Sequence, residues 1–206
     1  MQGRLSQMDT VSWESYDVHS EQFFQTYEGL NFAKIHRAFL RFLPIKGSRC
    51  LDVGAGSGRD AYALAKRGYY VTAVEPSDSM RHLAESNHRH PDIHWVADSL
   101  PSLKQVRSLQ MKYEFILLSA VWMHVHPNRR EEALNTLSSL LTRDGHIALT
   151  VRLGPASSER IMYPVIVEEL ITQAEKQGLF PVYVSRAMTD RMNRHEVTWK
   201  KIVLTR

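Results

Sequence analysis

A single cysteine in 206 residues leaves no intrachain disulfide to form and no cysteine cluster to hold a metal. That residue, Cys50, sits in a short apolar run from Arg49 to Val53 and reads as a small buried side chain. Long hydrophobic runs are also missing, and the opening stretch Met1 to Gln7 has no apolar core of the secretory kind. A cytoplasmic protein that avoids membranes is therefore expected. There is no internal repeat and no low-complexity linker, and the length suits one domain with a sizeable core.

Glycine, sparse overall, is concentrated where it matters. Cys50-Leu51-Asp52-Val53 runs into Gly54-Ala55-Gly56-Ser57-Gly58, after which Asp60, Ala61, Leu64 and Ala65 take helical spacing that closes at Lys66-Arg67-Gly68. A second strand-like run, Tyr70 to Val74, ends at Glu75-Pro76. Strand, glycine loop, helix, strand and acid form a unit that can hold a nucleoside, with the acid facing the ribose hydroxyls. The spacing is Gly-x-Gly-x-Gly with Arg59 following, not the Gly-x-Gly-x-x-Gly that brings a pyrophosphate to a helix N-terminus. Asp52, just ahead of the loop, would repel a phosphate and attract an ammonium group.

These residues resemble class I S-adenosylmethionine-dependent methyltransferases. Leu51 to Gly58 is similar to the first motif of that family and Val74 to Met80 to the second. Asp98, after Ile93-His94-Trp95-Val96, resembles the acid that reaches the adenine amino group. Tyr113 to Ser119 resembles the fourth strand, and Leu140 to Leu149 the turn into the fifth. The resemblance implies an α/β fold of Rossmann-like class I type, a seven-stranded, mostly parallel sheet with a C-terminal antiparallel hairpin and helices on both faces. It divides the chain into an N-terminal helical cap over 1–43, a cofactor-binding core over 44–153 and a substrate-side helix and closing hairpin over 154–206. S-adenosyl-L-methionine is the implied cofactor. Its implied contacts are Gly54, Gly56, Gly58, Pro76 and Met80 around the loop, Asp52 and Arg59 by the methionine end, Glu75 at the ribose, and Asp98 with Ser99 at the adenine. Ser119 and Ala120 follow the fourth strand, and an early tyrosine, Tyr16 or Tyr27, is placed to touch the cofactor carboxylate.

Outside those motifs, Phe32, Ile35, Phe39, Phe42 and Leu43 recur at helical spacing and predict an amphipathic helix packed on the sheet. Pro164 to Gln177 predicts another helix, and Val182 to Ser185 with Val197 to Leu204 a closing strand pair. Methyl transfer from a sulfonium needs chiefly an aligned acceptor and a dry chamber. The chamber falls on Ser119 to Pro127, where His124 is the candidate general base and Trp122 the candidate aromatic wall. His126, before a proline, reads as turn structure, and no metal site is expected. Arg152, Arg160, Met162 and Tyr163 lie beyond the fifth strand, in a region that shapes acceptor pockets in the family, and Arg191, His195 and Trp199 belong to the closing hairpin.

The expected reaction is transfer to oxygen or nitrogen of a small molecule. Ser119-Ala120-Val121-Trp122 departs from the Asn or Asp, Pro-Pro, aromatic pattern that clamps a flipped base, and Cys50 is misplaced for cytosine ring methylation, so DNA bases are disfavoured. The net charge of +4, and six basic residues between Arg186 and Arg206, leave three readings open. They are a solvated edge strand, a small acidic substrate, or RNA such as tRNA. A protein that binds the cofactor without transferring methyl groups is the remaining alternative.

Overall fold

The computed structural model describes residues 13–155, 160–190 and 194–206. Five parallel strands form the centre: β1 (Arg49–Val53), β2 (Tyr70–Val74), β3 (Ile93–Val96), β4 (Tyr113–Ser119) and β5 (Leu141–Leu153). β6 (Phe180–Val184), the two-residue β7 (Met188–Thr189) and β8 (Thr198–Thr205) all pair antiparallel with their neighbours. The order is β3-β2-β1-β4-β5-β8-β6, with β7 added beside β8, so the expected seven strands carry a short eighth. Strand order reverses between β1 and β4. At such a switch point the connections leave in opposite directions and open a crevice at the carboxyl ends of the strands.

Strict alternation builds two cores from one sheet. Leu51 and Val53, Ile116 and Leu118, Ile147 and Leu149, and Ile202 and Leu204 face one side, whereas Cys50, Phe115, Leu117, Ala148 and Val203 face the other. The first side packs against α6 (Lys104–Ser108), α7 (Arg130–Leu140) and α8 (Val167–Lys176) through Val106, Leu134, Leu137 and Leu170. The second packs against α4 (Arg59–Ala65) through Ala61, Leu64 and Ala65. Burial on both faces explains why β1 and β4 read as nearly continuous apolar runs. α5 (Asp78–Asn87) follows β2 and buries Met80 and Ala84.

Several boundaries differ from expectation for identifiable reasons. The helix expected over Phe32 to Leu43 is instead α3 (Phe32–Ile35), a turn, and a 3₁₀ helix over Leu40–Phe42. Phe39 N–H donates to the His36 carbonyl and Phe42 N–H to that of Phe39, and these i to i−3 bonds also bring residues three apart onto one side. The helix breaks at His36, whose wholly buried imidazole lies 2.8 Å from Asp60. α8 begins only at Val167, after Pro164. The turn expected near Gly145 is looped out of β5, with Tyr113 opposite Leu141 and Phe115 opposite His146. Finally, β8 is no edge strand. It lies between β5 and β6, and Lys201 is buried on it with Nζ donating to the Ile35 carbonyl, so solvation of an edge does not explain that lysine.

Candidate active site

A cavity of about 620 Å³ opens at the carboxyl ends of the central strands. Two N-terminal helices, α1 (Glu14–Val18) and α2 (Ser20–Glu28), supply Tyr16, Phe23 and Tyr27 to its wall, and β7 and β8 supply Met188 and Trp199. That volume falls in the ordinary range for enclosed small-molecule sites. α1 is fastened to the start of α5 by Asp17, whose Oδ1 accepts from the Ser77 hydroxyl at 2.6 Å and the Ser79 amide at 3.2 Å.

The glycine loop leaves β1 with Gly54 at φ +69°, where a Cβ would lie 2.6 Å from Val121 Cγ2. Both the backbone hand and the space demand glycine. Gly56 N–H donates to Glu75 Oε2 at 2.8 Å, and Ser77 N–H donates to Oε1 at 3.0 Å. These bonds aim the Glu75 carboxylate into the cavity from the end of β2. Burial pushes its pKa up to about 7, against the opposing pull of the Ser77 and Gly56 amides and Arg81.

Asp52, at the end of β1, is wholly buried and lines the cavity, yet neither carboxylate oxygen has a hydrogen-bond partner of ordinary geometry among the described residues. Burial raises its pKa well above the usual range, the Asp60 and Glu75 charges add to this, and Arg59 and a looser approach of the Ala61 amide oppose it. A buried carboxylate so placed has acceptor capacity for a donor from outside the chain. Arg59 does not fill that role. Its Nε and Nη2 each donate to Asp60 at 2.8 Å, and Nη1 donates to the Tyr27 carbonyl at 3.1 Å. Burial alone would raise the Asp60 carboxyl, but His36 and Arg59 hold it well below the usual carboxylate range. Asp98 also borders the cavity, where its oxygens accept from the amides of Ser99, Gln105 and Val106. Ser99 and Pro76 line the same region.

Across the cavity, past the end of β4, Ser119, Ala120 and His124 all contribute to the lining. Ala120 takes φ +60°, and its amide donates to Thr150 Oγ1 at 2.8 Å. His124 Nδ1 lies 2.9 Å from the Ile161 carbonyl, which can only accept, so the proton sits on Nδ1. Nε2, 3.1 Å from the Tyr16 hydroxyl, is therefore the acceptor. Burial lowers the His124 pKa to about 4, with Arg160 and Arg152 lowering it further and the Ile161 bond opposing. The imidazole is neutral at physiological pH. Arg160 Nη1 donates to both the Tyr16 and Tyr27 hydroxyls at 3.2 Å.

Four expected site residues lie elsewhere. Trp122 is fully buried in the core, because Val121 and His124 are three apart in a 3₁₀ turn and share the cavity side while Trp122 rotates inward. Met80 is fully buried behind the glycine loop, with its Cε 4.0 Å from where a Gly56 Cβ would lie. Gly58 is needed for packing, since a Cβ there would lie 2.8 Å from Trp95. Tyr163 turns out of the cavity against His126, with ring centroids 4.9 Å apart, while its neighbour Met162 turns in. Arg152 and Arg160 line the cavity; of the hairpin residues, for which either the cavity mouth or solvent was open, Trp199 lines the cavity, His195 is exposed and Arg191 lies outside the described residues. Sequence reasoning did not assign Asp60, Asp190, Arg194 or Lys201 to the site, yet all four line it. Only Lys201 carried a usable signal, a charged residue immediately ahead of the apolar run Ile202 to Leu204 within the expected strand.

Among the described residues, no group of three or more His, Cys, Asp or Glu side chains is placed to hold a metal. No helix among them is long and apolar enough to cross a membrane.

Comparison with known proteins follows from this geometry. Residues 23–196 match the model of a family described as methyltransferase domain. An uncharacterized methyltransferase of Staphylococcus carnosus is 28% identical over 101 residues, which is 49% of this chain and 45% of the relative. The chain spans about half the length of the curated relatives it matches. Among solved structures, a TehB-like SAM-dependent methyltransferase from Corynebacterium glutamicum superposes with a TM-score of 0.69 at 20% identity, covering 92% of this chain and 98% of that one. The 1,6-didemethyltoxoflavin-N1-methyltransferase of Burkholderia thailandensis, solved with 1,6-didemethyltoxoflavin and S-adenosylhomocysteine, gives 0.64 at 18% identity, covering 99% and 92%. The strand order, the glycine loop and the family match together place this chain in the methyltransferase domain family, with the class I S-adenosylmethionine-dependent fold.

Proposed function

We propose that this chain binds S-adenosylmethionine and moves its methyl group to oxygen or nitrogen of a small molecule. The observation that carries the reading is the buried Asp52 carboxylate, with acceptor capacity to spare beside a glycine loop, together with Glu75 aimed into the same cavity and a neutral His124 across it. These residues fit the cofactor. Asp52 offers acceptors to an ammonium group, Glu75 to ribose hydroxyls, and the backbone at Gly54 and Gly56 admits close approach. Asp98 and Ser99 border the adenine side, although the Asp98 oxygens are already engaged by backbone amides.

The cofactor supplies an activated methyl group, so the chain's task is to align, to exclude water and to handle one proton. Phe23, Tyr27 and Met162 give the chamber apolar walls. His124 offers an unprotonated Nε2 in that chamber, held in the right tautomer by the Ile161 carbonyl, and can take up a proton as the acceptor reacts. The Burkholderia protein, with a small heterocycle and S-adenosylhomocysteine bound together, is a precedent at the level of fold.

The test is transfer of labelled methyl from S-adenosylmethionine to a metabolite extract and, in parallel, to total RNA, alongside calorimetry with S-adenosylhomocysteine and NAD. Labelled small molecules and binding of the homocysteine product are expected. Label confined to RNA would move the acceptor class, and tighter binding of NAD would overturn the cofactor. Replacing His124 by Ala should lower turnover by about 100-fold while leaving cofactor affinity nearly unchanged.

A further inference from the structure

The cavity is divided electrically along the strand order. Asp52 stands one residue from the end of β1, Glu75 follows β2 and Asp98 follows β3, which are the three adjacent strands on one side of the switch point; Arg59 lines this side as well but is paired with Asp60. Arg152 stands on β5 and Lys201 on the neighbouring β8, with Arg160 beyond the end of β5 and Arg194 ahead of β8. β4 runs between the two halves, and His124 follows it.

The basic half is internally strained. Arg152 is more than nine-tenths buried, its Nη1 donates to the Pro155 carbonyl at 2.6 Å, and its Nε is buried without a hydrogen-bond partner among the described residues. Asp190 attracts it, but Arg194 grips that carboxylate through Nε at 3.0 Å and Nη2 at 2.8 Å, and Trp199 Nε1 donates to it at 2.7 Å. Burial, Arg194 and Arg160 together disfavour the Arg152 charge. A buried guanidinium with an open donor, among other cations, is costly unless an anion meets it. The cofactor's own cationic groups suit the opposite, acidic half.

Resting on the methyltransferase reading above, we infer that the methyl acceptor carries a carboxylate or phosphate, distinct from the atom methylated, and that Arg152 with Arg160 beside it holds that group. A planar guanidinium suits either anion. The acceptor is then anchored on the β5 and β8 side and extends its nucleophilic atom back toward His124.

Two measurements test this. First, the labelled products from the metabolite extract are passed over an anion exchanger at pH 8, and the wild-type product is expected to be retained. A product whose mass spectrum shows neither a carboxylate nor a phosphate overturns the anionic handle while leaving methyl transfer standing; no transfer at all overturns both. Second, benzoate and phenyl phosphate, with benzamide as the uncharged control, are titrated by ligand-observed NMR into the wild type saturated with S-adenosylhomocysteine and into Arg152→Gln, Arg160→Gln and Arg186→Gln. Arg186 is exposed and does not line the cavity. Binding of the anions but not benzamide should weaken by about 30-fold in Arg152→Gln and Arg160→Gln, and stay at the wild-type level in Arg186→Gln. Equal loss in all three variants would mean diffuse charge attraction and would overturn the site. A drop in S-adenosylhomocysteine affinity with anion binding intact would reassign Arg152 to the cofactor carboxylate. If Arg152→Gln does not fold, Arg160→Gln decides the same outcomes.

Discussion

Glu75 is held by two backbone amides while burial lifts its carboxyl to about 7, so proton binding and ligand binding compete at one side chain. Ribose hydroxyls would donate to the ionised form. Cofactor affinity should therefore rise between pH 6 and 8, with proton release seen in calorimetry across buffers of different ionisation enthalpy, and Glu75→Gln should flatten that rise. The His124 pKa is shifted the other way. Its pKa in the fold, about 4, lies below the ordinary histidine value, so the unfolded chain binds the extra proton between those two values. Stability from this group is present above the ordinary value and is lost as pH falls toward 4, by roughly 3 kcal/mol in all. Denaturant titrations from pH 7 to 4 should show a shallower loss in His124→Gln. Asp52 and Glu75 were legible in sequence because each ends a parallel strand at a glycine or proline, where a side chain must face the crevice. Trp122 and Tyr163 were not, because which side of a single turn or extended step faces inward depends on the neighbours it packs against.

At the scale of elements, the loop after β1 tolerates little change. An alanine at Gly54 combines a left-handed backbone with a Cβ 2.6 Å from Val121, so Gly54→Ala should cost about 1–3 kcal/mol and narrow the cavity. Thermal unfolding and cofactor calorimetry read the two effects separately. Asp17 ties α1 to the start of α5, whereas α2 is held separately by Arg59 on the Tyr27 carbonyl and by Glu28 beside His88. Asp17→Ala removes an acceptor for Ser77 and Ser79 and should speed cofactor release about fivefold or more, measured by stopped-flow fluorescence, with little change in the unfolding midpoint. The central strands could be read from sequence because burial on both faces leaves an apolar run that ends at glycine or an acid. The segment from Phe32 to Leu43 could not, since the spacing of its aromatics fits tight turns as well as a helix and a long-range contact from His36 to Asp60 selects the turns.

The whole molecule is organised by the reversal of strand order, which sets acids over β3, β2 and β1 and cations over β5 and β8. Motif order alone carried the first half of that division into the sequence reading, whereas the second half required β8 to fold back beside β5. A ligand that binds only the folded chain at this switch point should stabilise the entire sheet. S-adenosylhomocysteine at about 100 times its dissociation constant should raise the unfolding free energy by about 2.7 kcal/mol, visible as a midpoint shift of roughly 5–10 °C. The bond between the Tyr16 hydroxyl and His124 Nε2 gives the cover a second consequence. For His124 to act as the base, the acceptor must displace the Tyr16 hydroxyl from that nitrogen or pass its proton through it, so the handling of one proton in the chamber is tied to a side chain carried by α1.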